Sequence, residues 1–145
     1  MVHCPWKARL EALGLLTLRV LIGYGIALHG WGKINGDMQG FADGVVTAKL
    51  GLPFPIVFAW AAALSEGVGG VLLALGLFTR LASFLILFTM GTAFFVFHAT
   101  DPWDHKEMAF LYGGTALSLL LTGAGCYSID ALIFCRKKDK EACCS

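Results

Sequence analysis

The sequence predicts an all-α integral membrane protein, a four-helix transmembrane bundle with both termini in the cytoplasm. Three observations carry this. Apolar residues make up 57% of the 145 and charged residues only 14%, against roughly 45–50% and about 25% in a soluble domain. Four apolar stretches approach the ~20 residues that cross a bilayer as helix. Lys and Arg are concentrated on one side of the resulting topology, as orientation by positive charge requires.

The length allows one domain, residues 1–145, and the lipid bilayer is its first expected partner. A net charge of +1 gives no basic patch for nucleic acid. Gly is abundant, at 18 residues, as is common in membrane helices.

The first helix is expected over about 10–33. It follows Lys7 and Arg9 like a signal peptide, but its apolar run exceeds an h-region of about 7–15 residues and no A-x-A site follows. It is read as a retained helix. The connection 34–52 carries Phe41, Val45, Val46 and Leu50 at spacings that suit a short amphipathic piece at the surface. Pro53-Phe54-Pro55 breaks the chain before a second helix over about 54–78. A tight junction at Gly76 and Thr79-Arg80 leads into a third, about 80–98. The polar loop TDPWDHK precedes a fourth, about 107–124, which ends at Gly123-Ala124-Gly125.

With four crossings, Lys7, Arg9, Arg80, Arg136, Lys137, Lys138 and Lys140 share one side, and Lys33, Lys49 and Lys106 the other. The first side is therefore cytoplasmic. Cys4, Cys126, Cys135, Cys143 and Cys144 fall near it. That compartment is reducing, so no structural disulfide is expected. The basic, cysteine-containing tail 135–145 has no C-x-x-C, and Ala142 stands where a prenylation box needs Cys. No H-x-x-H or H-E-x-x-H occurs, and no metal is expected. The chain also has no haem, flavin or iron–sulfur motif.

Ionisable groups inside membrane helices cost about 2.5–3.5 kcal/mol each at the centre. Here they fall on shared stripes. Arg19, His29 and Lys33 recur at helical spacing on the first helix. Glu66 lies among small residues on the second, Arg80 and His98 bound the third, and Glu107 begins the fourth. At 1.5 Å per residue, Arg19 lies roughly 14 Å and Glu66 roughly 18 Å from the cytoplasmic ends. This depth predicts a mid-membrane Arg19–Glu66 pair. His29, Lys33, His98 and Glu107 come out together near the outer boundary, and Arg80 with Asp130 near the inner one. Two readings of these groups stand side by side. Charge pairs fix helix order, as Arg80 and Asp130 would. Alternatively, the outer cluster handles protons or a ligand.

The residues resemble the DoxX family. The resemblance rests on Arg19, on His29-Gly30-Trp31-Gly32-Lys33, and on the run from Glu66 through Gly67-Val68-Gly69-Gly70 to Thr79-Arg80. It continues through His98, Glu107 and the segment from Gly123 to Asp130, and so covers about 10–132. It implies a four-helix protein of the bacterial inner membrane, in a wider group that includes the DoxD subunits of thiosulfate:quinone oxidoreductases. The function it implies is that of a quinone- or quinol-interacting subunit of a redox complex, with electrons supplied by another membrane or redox subunit. In that reading His29, His98, Glu66 and Glu107 handle protons, and Arg19, His29, Lys33 and His98 hold the quinone. The alternative is a non-catalytic scaffold or assembly subunit.

Overall fold

The computed structural model describes residues 5–134. Every regular element among them is helical: α1 (Pro5–Asn35), α2 (Met38–Phe41), α3 (Pro55–Leu75), α4 (Thr79–Thr92), α5 (Trp103–Thr122) and α6 (Ile129–Phe134). Two wider π-helical segments extend them, Ala42–Leu50 after α2 and Ala93–Phe97 after α4. Three spans are long and apolar enough to cross a membrane: Ala8–Asn35, Pro55–Leu75 and Thr79–Phe97. The sequence pointed to four. α5 has the length, 20 residues, but its first turn reads Trp103-Asp104-His105-Lys106 and dilutes its apolar character.

The exterior suits lipid. Leu21, Phe54, Phe88, Phe95 and Leu121 are each at least 65% exposed, which a soluble protein avoids over so continuous an apolar surface. Along these faces hydroxyls bond back onto their own helices. Thr92 donates to the Phe88 carbonyl, Thr115 to Leu111, Ser118 to Gly114 and Thr122 to Ser118. Such bonds satisfy polar groups where lipid offers no partner. Thr89 also reaches across from α4 to Ser65 of α3 at 3.0 Å.

The bundle is organised around the crossing of α1 with α3. A Cβ added at Gly30 would stand 2.0 Å from the backbone nitrogen of Gly67, and one at Gly70 would stand 2.6 Å from that of Ala27. Only hydrogen fits at these points, as in small-residue crossings of membrane helices generally. The crossing fixes the register of the two helices. Gly23 lies against Gly70 and Ala74, Gly30 against Ala63 and Gly67, and Arg19 against Gly76. One core cluster then forms from Ile26, Leu73, Ile86, Met90, Ala116 and Leu119. A second joins Met38, Ala42 and Val46 to Ala59 and Ala63. The connection after α1 is therefore no free surface piece. It buries the stripe Met38–Ala42–Val46 against the first half of α3, with Phe41 and Leu50 partly covered.

The α3–α4 turn shows how side chains replace water at helix ends. Gly76, at φ +68°, closes α3 with Gly76 N donating to the Leu73 carbonyl and Leu77 N to that of Leu72. This is the glycine-terminated end that satisfies orphan carbonyls. Asp130 satisfies the next orphans. Its carboxylate accepts from the Phe78 and Thr79 amides at 2.7 and 2.8 Å, and its own amide donates to the Gly76 carbonyl. The expected Arg80–Asp130 ion pair is absent among the described residues. Asp130 spends both oxygens on backbone amides, whose fixed geometry at a helix N-terminus suits a carboxylate, and Arg80 is exposed beside Gly123. Cys126 is disulfide-bonded, against the expectation of a reduced thiol. The other cysteines, and the basic tail 135–145, lie outside the described residues.

Two outcomes follow. Gly30→Ala should destabilise the bundle by about 1–3 kcal/mol through overpacking, while Gly32→Ala, which meets nothing within 4 Å, should cost nothing. Thermal unfolding in detergent distinguishes them, and equal loss in both would refute the close crossing. Asp130→Ala should cost about 1–2 kcal/mol as a lost helix cap, and Asp130→Asn less, because an amide oxygen still accepts. The same melting series reads both variants.

Candidate functional site

The α1–α3 register decides which polar groups meet. Glu66 sits on α3 among Ala63, Gly67 and Gly70 and is 1% exposed. Its partner is Lys33, whose ammonium donates to Oε1 at 2.5 Å and to Oε2 at 2.7 Å. The Lys33 ammonium also lies 5.2 Å from the centroid of the Phe41 ring, a favourable place for a cation. Its side chain remains 29% exposed, so the pair has one buried end and one end open to the surroundings.

The expected Arg19–Glu66 pair does not form. Arg19 is buried, and its guanidinium donates to the Ala124 carbonyl and, at 2.6 Å, to the Tyr127 carbonyl. The depth estimate failed because it set the ends of α1 and α3 level, whereas the turns of α1 before Arg19 run past the end of α3 at Gly76. With Gly30 against Gly67, Arg19 is carried to the level of the α3–α4 turn, and Lys33 is brought down beside Glu66. Arg19 thereby closes the loop 123–128. Within that loop Ser128 donates to the Gly125 carbonyl at 2.7 Å and accepts from the Ala131 amide at 3.1 Å. Next to it an open cleft is lined by Thr79, Arg80, Gly123, Ser128 and Asp130 among others.

The four groups expected at one outer boundary have four different surroundings. Lys33 is with Glu66. His29, one turn earlier on α1, is exposed and meets the ring of Tyr112 edge-on at 5.7 Å between centroids. Tyr112 also reaches α1 with its hydroxyl, which a Cβ at Gly25 would meet at 2.6 Å. His98 lies beyond α4, where its Nδ1 is 2.7 Å from Oδ2 of Asp101. Glu107 is exposed and pairs with none of the described residues.

The His98 end forms a polar layer of its own. The His105 ring stands 6.5 Å from that of His98. Lys49 donates to the Phe97 carbonyl and lies over the Phe97 ring, and Lys106 donates to the Ala99 carbonyl. The hydrogen bond from His98, aided by the charges of Lys49, His98 and His105, holds the Asp101 carboxyl below the ordinary carboxylate range against a smaller opposing effect of burial. Asp101, His105 and Tyr112 were not among the residues picked out from sequence. The available signals were the spacing H-x-x-D-x-x-x-H and a tyrosine in the middle of an apolar helix.

Comparison with known proteins places the whole assembly. The chain is similar to the "Putative oxidoreductase CatD" of Bacillus subtilis, 30% identical over 88% of this chain and 92% of that protein. It is similar to the "Inner membrane protein YqjF" of Escherichia coli, 32% identical over 86% of this chain and 95% of that protein. It is also similar to the "Inner membrane protein YphA" of Escherichia coli, at 34% over 80% and 87% respectively. No solved structure matches. The DoxX family pattern matches residues 14–99, a stretch that includes Arg19, His29, Lys33, Glu66 and His98. With three helices able to span a bilayer and relatives named as inner-membrane proteins, the chain is a multi-pass protein of the bacterial inner membrane and belongs to the DoxX family.

Proposed function

We propose that this protein is a quinone- or quinol-interacting subunit of an inner-membrane redox complex, with the Lys33–Glu66 pair at the centre of its site. The observation that carries the reading is the asymmetry of that pair. A carboxylate 1% exposed is held by an ammonium whose side chain is 29% exposed. The buried member can keep or yield a proton, while the open member can turn to the oxygen of a bound ring. His29, one turn earlier on α1, meets Tyr112, and the Phe41 ring lies beside the Lys33 ammonium. An apolar pocket with a few converging polar groups is the general form of a small-ligand site. A quinone would contribute the electron chemistry, and the chain's own part is to orient a ring oxygen and exchange protons at Glu66 and His29. One relative's name, an oxidoreductase, agrees with this class of activity. His98 is hydrogen-bonded to Asp101, Glu107 is exposed, and Arg19 braces the loop 123–128.

One observation favours a scaffold instead. Arg19, Asp130, Lys33 and Glu66 all spend their charges within the bundle. A protein that only holds partners together needs no more than that. The reading also includes a fourth crossing by α5, whose 20 residues span ~30 Å at 1.5 Å per residue, and both termini in the cytoplasm by the positive-inside rule.

The tests separate these claims. Lys33→Gln should lower the quinone that co-purifies with the protein by about tenfold, the worth of one charged hydrogen bond, without unfolding it. Undiminished quinone in Lys33→Gln and His29→Ala, with loss of co-purifying subunits, would leave the scaffold reading. For stability, Lys33→Met should cost more than Lys33→Met with Glu66→Leu, because a lone buried carboxylate is worse than none. Additive losses in detergent melts would show that the pair is not coupled. Single cysteines at Asp43 and Asp104, in a cysteine-free background, should both label from outside the cell. Labelling of either from the cytoplasm contradicts the proposed topology.

A further inference from the structure

The loop between the extension of α4 and α5 carries a cluster that the quinone reading does not use. His98 ends the π-helical segment Ala93–Phe97, Asp101 lies in the turn, and His105 lies in the first turn of α5. One ligand atom from each, two imidazole nitrogens and a carboxylate oxygen, lies within 4.8 Å of the other two. We propose that His98, Asp101 and His105 bind a divalent transition-metal ion of the zinc type.

The donor set selects the class of ion. Two imidazoles and one carboxylate suit zinc and its neighbours in the first transition row, and leave positions open for water or a further ligand. Calcium and magnesium need several oxygen ligands, and here Asp101 is the one carboxylate in the donor set, with Asp104 Oδ2 3.7 Å from His105 Nε2 and Lys49 and Lys106 close by. Those two cations do not occupy the cluster. Lys49 is turned onto the Phe97 carbonyl at 3.2 Å and Lys106 onto the Ala99 carbonyl at 2.8 Å. Their charge disfavours a hard ion bound by electrostatics alone more than one bound through imidazole nitrogen.

The backbone holds the three ligands ready. The Asp101 amide donates to the His98 carbonyl at 3.1 Å, and the His105 amide to the Pro102 carbonyl at 3.2 Å. The Phe97 ring packs edge-on against His98 at 4.4 Å. The turn is therefore built from its own hydrogen bonds, and Pro102 restricts it further. Ligand atoms of a tetrahedral ion with bonds of about 2.0–2.2 Å stand ~3.4 Å apart. The three ligand atoms, all within 4.8 Å of one another, lie within about 1.5 Å of that spacing. The 2.7 Å contact between His98 and Asp101 opens slightly as the ion takes its place.

Calorimetric titration of the full chain in detergent with zinc chloride tests the site. Free thiols are first alkylated, because the cysteines bind zinc themselves. One ion per chain is expected, and His98→Ala, Asp101→Asn and His105→Ala should each weaken it by about tenfold or more. No zinc binding by the alkylated protein, or the same stoichiometry and affinity in the His98→Ala/His105→Ala double variant, overturns the proposal. A second measurement needs no variant. Zinc should protect His98 and His105, but not His29, from diethyl pyrocarbonate, read by peptide mass spectrometry. Equal modification of all three with and without zinc also overturns it.

Discussion

Backbone meets backbone where α1 crosses α3, at Gly23, Gly30, Gly67 and Gly70, and the positions of the charged groups follow from that contact. A helix pair with side chains between its backbones has room to slide by a turn. This pair has none, since even a methyl group at Gly30 would overlap the Gly67 backbone. The register it imposes sets Lys33 against Glu66 and Arg19 against the α3–α4 turn. Apolar packing then completes the bundle: Ile26 and Leu73 meet Ile86, Met90 and Leu119. In a bilayer, apolar contact between helices gains little over contact with lipid tails, so close packing and polar contacts carry much of the specificity.

The polar groups form three tiers with different physical characters. At the α3–α4 turn, charges meet backbone: the Arg19 guanidinium takes carbonyls and the Asp130 carboxylate takes amides. In the middle, charge meets charge at Lys33 and Glu66. At the far end, imidazole meets carboxylate at His98 and Asp101. The first tier completes helix ends and leaves little capacity for chemistry. The other two join side chain to side chain.

The membrane class, the positions of the long apolar helices and the family were legible in the sequence, because each rests on composition or on local spacing. The small residues around Glu66, visible in the sequence, are where α1 and α3 approach closely. The pairing of charges was not legible, and the reason is specific. Depth was counted as if the apolar ends of α1 and α3 lay level, whereas the crossing sets Arg19 against Gly76, and stripes alone do not say which turn of one helix faces which turn of another. That offset moved Arg19 away from Glu66 and put Lys33 in its place. Asp130 was similarly assigned to a side chain when it caps a helix, since the sequence shows a nearby Arg80 but not the orphan amides of Phe78 and Thr79. The connection after α1 was seen as amphipathic, and its stripe is real. What it packs against, Ala59 and Ala63, depends on the fold.

The Arg19 contacts span 105 and 108 residues of sequence. A chain emerging from the ribosome therefore commits its first helix to the bilayer long before the carbonyls of Ala124 and Tyr127 have been made. Throughout that interval the guanidinium has to borrow water or lipid phosphate, and α1 is tethered toward the headgroups by its own charge. The loop that carries these carbonyls releases it. Burial of Arg19 thus waits on the loop 123–128, and a nascent chain stalled short of Gly123 would present an unsatisfied cation in the membrane, the kind of exposed polarity that membrane quality control can detect.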